Sequence, residues 1–338
     1  MIFSDIVEAQ QRIEKYVIKT PIFTSTLLNK GLSERLENGN QHQLFFKAEC
    51  LQKTGAFKLR GAANFIAKLA ENNQLPNHFV ANSSGNHAQA VAYASQLFNV
   101  PATIYSANTI SPIKAAATRS YGADLQVFSN RPEADKAVEA ASQRDSHIWI
   151  PPFNHPDIIA GQGTVAAEAI EELGDIDAVF APCGGGGLVS GSLIATRALS
   201  PNAKVFGAEP LAANDAAESL RTGTIQRLTS PPKTLADGAA TPSVGEHTFP
   251  FLQQLDGFYE VSEQQICYWT QWLHHLLKLH IEPTCCMTMQ AVAEWLATQN
   301  RPQRVLIILS GGNISQSSMQ QIWETDYLQH QPQIHLFD

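Results

Sequence analysis

Eight short β-rich runs alternating with amphipathic helical stretches leave this chain few ways to fold. The runs are LFFKAEC (44 to 50), HFVAN (78 to 82), PATIYS (101 to 106), ADLQVFS (123 to 129), HIWI (147 to 150), DAVFAP (177 to 182), AKVFGAE (203 to 209) and RVLIILS (304 to 310). Helical periodicity occupies 88 to 98, 132 to 144, 162 to 173, 187 to 199 and 284 to 297. Strands separated by helices pair mostly in parallel, because a crossover long enough to hold a helix returns the chain to the same sheet edge; the pattern therefore predicts an α/β fold. The block from 77 to 151 contains four strands and three helices, enough for its own sheet, so the strands before and after it must share another. The expected organisation is a small domain over 77–151 inserted into a large domain formed by 1–76 and 152–338, two units on a scale of ~150 residues per domain. Two segments, SPPK (230 to 233) and QHQPQ (329 to 333), read as loop and tail.

In open α/β sheets ligands gather at the carboxyl ends of strands, and three strand-to-helix turns here have unusual chemistry. After the run at 78 to 82 comes SSGNHAQA, where hydroxyls, a glycine, an amide and an imidazole open a helix whose bare N–H groups suit a carboxylate. After 177 to 182 comes CGGGGLVSG. Four consecutive glycines cost backbone entropy, a cost offset when bare N–H groups must wrap an anion such as phosphate. A dinucleotide site is not excluded by spacing, since Glu209 stands close to where the acid of that fingerprint would fall. After 304 to 309 comes SGGN, which puts the Ser310 hydroxyl at a strand end.

A fourth feature is Lys58 in KTGAFKLRGAAN. On a helix it shares a face with Ala62, Phe65, Ile66 and Leu69, whereas Arg60, Asn64, Lys68 and Glu71 point elsewhere. A lysine turned toward the apolar side of a helix needs something to meet there.

Composition narrows the function classes. With 44% hydrophobic residues, 16% charged and a formal charge of −8, the chain of 338 residues has a core of good size and no basic field for nucleic acid or anionic lipid. Its first residues, MIFSDIVEAQQRIEKYV, carry charges where a signal peptide has an apolar stretch, and VLIIL is far too short to span a bilayer. A cytoplasmic protein is expected, with neither nucleic acid nor membrane as partner. Five cysteines, Cys50, Cys183, Cys267, Cys285 and Cys286, form no CxxC pair and read as reduced, mostly buried residues.

Taken in order, LQKTGAFKLRGAANF, SSGNHAQAVAYAS, IPPFNHPDIIAGQGTVAAE, CGGGGLVSG, AEPLAAND, TLADGA, EPT and SGGN resemble the fold-type-II pyridoxal-phosphate enzymes, of tryptophan synthase β-like fold. The similarity is to the serine/threonine dehydratase and serine racemase branch and spans roughly residues 5 to 315. It implies that Lys58 binds pyridoxal 5'-phosphate covalently, that Phe57 packs on the pyridine ring, that Asn86 meets the ring hydroxyl and that Ser310 meets the ring nitrogen. The N–H groups of Gly184, Gly185, Gly186, Gly187 and Leu188 would hold the phosphate. The substrate carboxylate would dock on Ser83, Ser84, Asn86 and His87, with Asn154 near the departing hydroxyl. A serine opposite the ring nitrogen stabilises a protonated ring less than an aspartate does, which steers chemistry toward β-elimination.

The expected activity is dehydration of L-serine or L-threonine to a 2-oxo acid and ammonia, with serine racemase and threo-3-hydroxyaspartate dehydratase as alternatives on the same scaffold. An NAD-binding oxidoreductase is the rival of another class; it would leave Lys58 and Ser310 without a role. Ser84 is the position at which serine racemases carry a hydroxyl across the cofactor plane from the lysine, so it doubles as a candidate catalytic acid. The resemblance also implies a divalent cation, Mg²⁺ or else Ca²⁺ or Mn²⁺, on Glu209, the Ala213 carbonyl and Asp215. A homodimer is expected. Some racemases of the branch bind ATP, and the matching positions are Ser25, Thr26, Leu27, Lys53, Thr54, Lys278 and Asn313; the departures at Thr26 and Leu27 count against ATP regulation.

Overall fold

The computed structural model describes residues 1–34, 36, 40–329 and 332. Of the tail expected at 329 to 333, only Gln329 and Pro332 fall among them. Ten strands are described: β1 (Ile22–Phe23), β2 (Gln43–Ala48), β3 (His78–Asn82), β4 (Ala102–Ala107), β5 (Asp124–Phe128), β6 (His147–Trp149), β7 (Ala178–Pro182), β8 (Lys204–Pro210), β9 (Gly257–Val261) and β10 (Arg304–Leu309). They form two sheets, one ordered β1-β2-β10-β7-β8-β9 and the other β5-β4-β3-β6. All pairs are parallel except β1 with β2. The second sheet uses only strands between 78 and 149, and strands from either side of it meet in the first, where Val305 is in register with both Leu44 and Ala178.

Central strands buried on both faces read as continuous apolar runs, and VLIIL in β10 is wholly buried. The periodicity started one helix too late and ran two together. Pro156–Leu173 begins six residues earlier than the predicted 162, and 284 to 297 divides into Pro283–Cys286 and Thr288–Ala297. Among the described residues no helix is long and apolar enough to cross a membrane.

The helix Lys58–Glu71 corrects a reading of its faces. Arg60 and Asn64, expected to point away from the apolar side, are buried, because the helix is packed between the helices Pro156–Leu173 and Asn86–Leu97 instead of lying on a surface. The burial of Arg60 is balanced by a network. Its guanidinium donates to both oxygens of Glu49 at 2.8 Å, to Glu168 at 2.7 and 2.8 Å and to the Ile18 carbonyl at 3.1 Å. Lys47 Nζ completes the set on Glu168 at 2.9 Å. Two cations and two carboxylates neutralise one another, the condition under which buried charges are tolerated.

Candidate active site

Lys58 begins its helix, and its amine donates to the Pro152 carbonyl at 2.7 Å. The Phe57 and Phe153 ring centroids lie 5.2 and 5.9 Å from the amine. Burial lowers its pKa to about 8, against an opposing pull from Glu282, so about a tenth of the amine is neutral at pH 7, far more than for an ordinary lysine. That is the form in which an amine attacks a carbonyl or accepts a proton.

The glycine turn after β7 comes to the same place. Gly186 has φ +91°, a left-handed conformation open to glycine without strain, and it turns the chain into the helix Gly187–Leu199. At Gly187 any Cβ would lie 2.3 Å from Gln162 Oε1; the Gln162 amide in turn donates to the Pro152 carbonyl that holds Lys58. No N–H from Gly184 to Leu188 donates to a protein acceptor among the described residues. Thr241 Oγ1, buried without a partner, has its side chain beside Gly184. Bare N–H groups at a helix start, with an uncommitted hydroxyl next to them, fit a phosphate. The residues present therefore fit the cofactor that the motifs imply.

Asn86 donates from Nδ2 to both oxygens of Glu282, at 3.1 and 2.9 Å, and accepts from Asn313 Nδ2 at 2.9 Å. Ser310 Oγ donates to Glu282 Oε1 at 3.3 Å, while its carbonyl accepts from Phe57 N at 3.0 Å. Glu282 is thus the residue that joins the two expected ring partners, and sequence reasoning gave it no role although EPT was among the motifs. A carboxylate near the end of an apolar stretch, directly before a Pro at a helix start, was the available signal. Burial raises the Glu282 pKa to about 7, helped by Asp237 and opposed by Lys114 and the hydrogen bonds from Asn86 and Ser310. Asn313 also donates to the Thr54 carbonyl at 2.9 Å, which brings two of the seven ATP-matching positions into contact with the site. Of the rest, Ser25 caps the helix Thr26–Gly31 and Leu27 is exposed.

The SSGNH turn places its residues unequally. Gly85 N donates to Ser83 Oγ at 3.1 Å. Ser106 Oγ lies 2.9 Å from Ser84 Oγ and 3.1 Å from the Ala107 carbonyl, with one proton for the two acceptors. His87 is buried, and its ring is engaged with the Ile150 carbonyl at 2.9 Å; burial, with Lys58 nearby, lowers its pKa to about 3. The imidazole is neutral and committed, so what His87 contributes to an anion site is its first-turn N–H. Asn154 Oδ1 accepts from His247 N at 2.8 Å, fixing that amide against the loop at Gly245.

At the end of β8, Glu209 accepts from Ala217 N at 2.7 Å and Ala216 N at 3.2 Å. Both Asp215 oxygens are buried with no hydrogen-bond partner. Burial raises Glu209 to about 9 and Asp215 to about 7, the behaviour of carboxylates that lack a countercharge. Among the described residues no group of three or more His, Cys, Asp or Glu side chains could hold a metal. Two carboxylates with the buried Ala213 carbonyl are an all-oxygen set of the kind hard cations take.

Comparison with known proteins points the same way. Residues 13–311 match the family described as pyridoxal-phosphate dependent enzyme. The chain is 43% identical over 315 residues to L-threo-3-hydroxyaspartate ammonia-lyase of Saccharomyces cerevisiae, covering 92% of this chain and 93% of that one. It is 38% identical over 314 residues to serine racemase of Schizosaccharomyces pombe, covering 92% and 94%. The crystal structure of a T.th. threonine deaminase superposes with a TM-score of 0.85 at 40% identity, over 93% of this chain and 99% of that one.

Proposed function

The chain belongs to the pyridoxal-phosphate dependent enzymes, within a group of ammonia-lyases and racemases, and on that footing we propose that it is an ammonia-lyase for 2-amino-3-hydroxy acids, converting them to 2-oxo acids and ammonia. The observation that carries this reading is the linkage of the Lys58 amine, through the Pro152 carbonyl and Gln162, to the turn of bare N–H groups at Gly184 to Leu188, and through Phe57 N to Ser310, which with Asn86 meets Glu282.

Bound there, pyridoxal phosphate supplies an electron-withdrawing group next to the substrate Cα. The residues divide the remaining work. Ser83, Ser84 and the first-turn N–H groups of Asn86 and His87 hold the α-carboxylate, which sets the Cα–H bond toward Lys58. Lys58 Nζ, released from the Pro152 carbonyl, accepts that proton. The β-hydroxyl departs as water near Asn154, and addition of water then releases the nitrogen as ammonia, so that atoms balance with no external oxidant. Ser84 stands ready to return a proton to the other face of Cα, which would give racemisation alongside elimination. Glu209, Asp215 and the Ala213 carbonyl would hold a divalent cation whose charge offsets the buried acids. The site is read as lying at the boundary between a small domain, 77–151, and a large one. Assay of 2-oxo acid release from L-serine, L-threonine and L-threo-3-hydroxyaspartate tests the reading, and absence of product from all three would overturn it.

A further inference from the structure

One charged pair near the site has no part in the steps above. Lys114, on the helix Pro112–Ser120 that follows β4, is 5% exposed at its side chain, and its ammonium is paired with Asp237, whose own side chain is 55% exposed. Asp237 is its one acceptor among the described residues, so of three ammonium donors two are uncommitted. The surroundings put the pair at the site. Gly238 directly follows Asp237, and its carbonyl would be 2.9 Å from a Cβ on Gly184 in the glycine turn. Gly238 N donates to Thr284 Oγ1, two residues from Glu282, and both Lys114 and Asp237 are close enough to shift the Glu282 titration. From the other side, β4 ends at Ser106 and Ala107, where Ser106 meets Ser84.

A buried cation held by an exposed acid is arranged for exchange: the acid can turn to water at little cost, whereas the cation needs another anion to replace it. Glu282, when ionised, would repel a substrate with a second carboxylate unless a cation met it. We propose that Lys114 is the specificity residue that receives a carboxylate borne on the substrate Cβ, with Asp237 as the anion it displaces. This makes a 2-amino-3-hydroxy dicarboxylate the preferred substrate and rests on the ammonia-lyase reading.

The test compares kcat/KM of the holoenzyme for L-threo-3-hydroxyaspartate and L-serine in wild type, Lys114→Met and Asp237→Asn. Lys114→Met is expected to lose on the order of 100-fold with the dicarboxylate, the scale of a hydrogen bond to a charged group, and less than about 3-fold with L-serine. Asp237→Asn, at an exposed position and therefore safe for folding, is expected to raise kcat/KM for the dicarboxylate several-fold by freeing Lys114. Equal losses on both substrates in both variants would show a strut between the two sheets and overturn the proposal, as would an Asp237→Asn enzyme unchanged or weakened on the dicarboxylate. A wild type that dehydrates L-serine but not L-threo-3-hydroxyaspartate would overturn it while leaving the ammonia-lyase reading standing. Failure on every hydroxy amino acid would overturn both.

Discussion

Asn86 Nδ2 donates to both carboxylate oxygens of Glu282, at 3.1 and 2.9 Å, so one acid fixes which way the amide faces. The same acid receives Ser310 Oγ, and a single side chain thereby sets two expected cofactor contacts from behind.

This arrangement has a pH signature. The Glu282 pKa rises in the folded protein from 4.5 to about 7, so the unfolded chain releases its proton first and folding is favoured by low pH. The contribution is fully present below the unfolded value and is lost as pH rises through about 7, a span of about 3 kcal/mol. Glu282→Gln keeps an acceptor for Asn86 but cannot ionise. Thermal melts of cofactor-free protein at several pH values across this window should show a flatter pH dependence in the variant; an unchanged slope would mean that Glu282 is not the titrating group.

Removal of the Arg60 guanidinium should be severe. Arg60→Ala would strand Glu49 in the interior without a cation and leave Glu168 with Lys47 alone, a loss of about 3–5 kcal/mol by the behaviour of broken buried ion pairs. A melting temperature within a degree or two of wild type would contradict the packing described for that helix.

This helix also marks where sequence reading stops. A one-sided periodic template assumes a helix on a surface; Lys58–Glu71 has neighbours on several sides, so Arg60 and Asn64 looked solvent-facing and are not. The central strands were legible because burial on both faces makes them uniformly apolar, as in Val305 to Leu309. Strand β9 was not: Gly257–Val261 is largely half-exposed at a sheet edge and has weak patterning. The helix Glu263–Leu277 also went unread, its apolar residues interrupted by Gln271, His274 and His275. An apolar helical face made Lys58 visible, and turn chemistry the glycines and Ser310. Gln162, Thr241 and Lys114 matter through contacts with residues distant in sequence, which no local pattern encodes, and for Glu282 the acid before Pro283 marked a helix start but not its partners Asn86 and Ser310.

The cation reading predicts that a chelator lowers the melting temperature by several degrees and that Mg²⁺ or Mn²⁺ restores it, since a ligand at 100 times its Kd adds about 2.7 kcal/mol. Asp215→Asn should abolish the response. A response that survives in the variant would place the cation elsewhere.

The proposed role of Ser84 predicts that two activities can be separated. Elimination from an L-substrate needs a base on the Lys58 face alone, whereas racemisation also needs a proton donor on the other. When Ser106 donates to Ser84, the Ser84 proton is free for that task. Wild type should form D-serine from L-serine, and Ser84→Ala should lose this while retaining most L-serine dehydration, as read by chiral chromatography. No D-serine from wild type would leave Ser84 as a carboxylate-binding residue.

The most direct test of the account is the release of 2-oxo acid and ammonia by wild type and Lys58→Ala side by side, with melting temperature measured on both. The expected result is equimolar oxo acid and ammonia from a hydroxy amino acid with wild type and a loss of at least ~10³-fold in the folded variant, as when a covalent catalyst is removed. A Lys58→Ala protein that keeps turnover would contradict the assignment of this lysine, and with it the reading of the site.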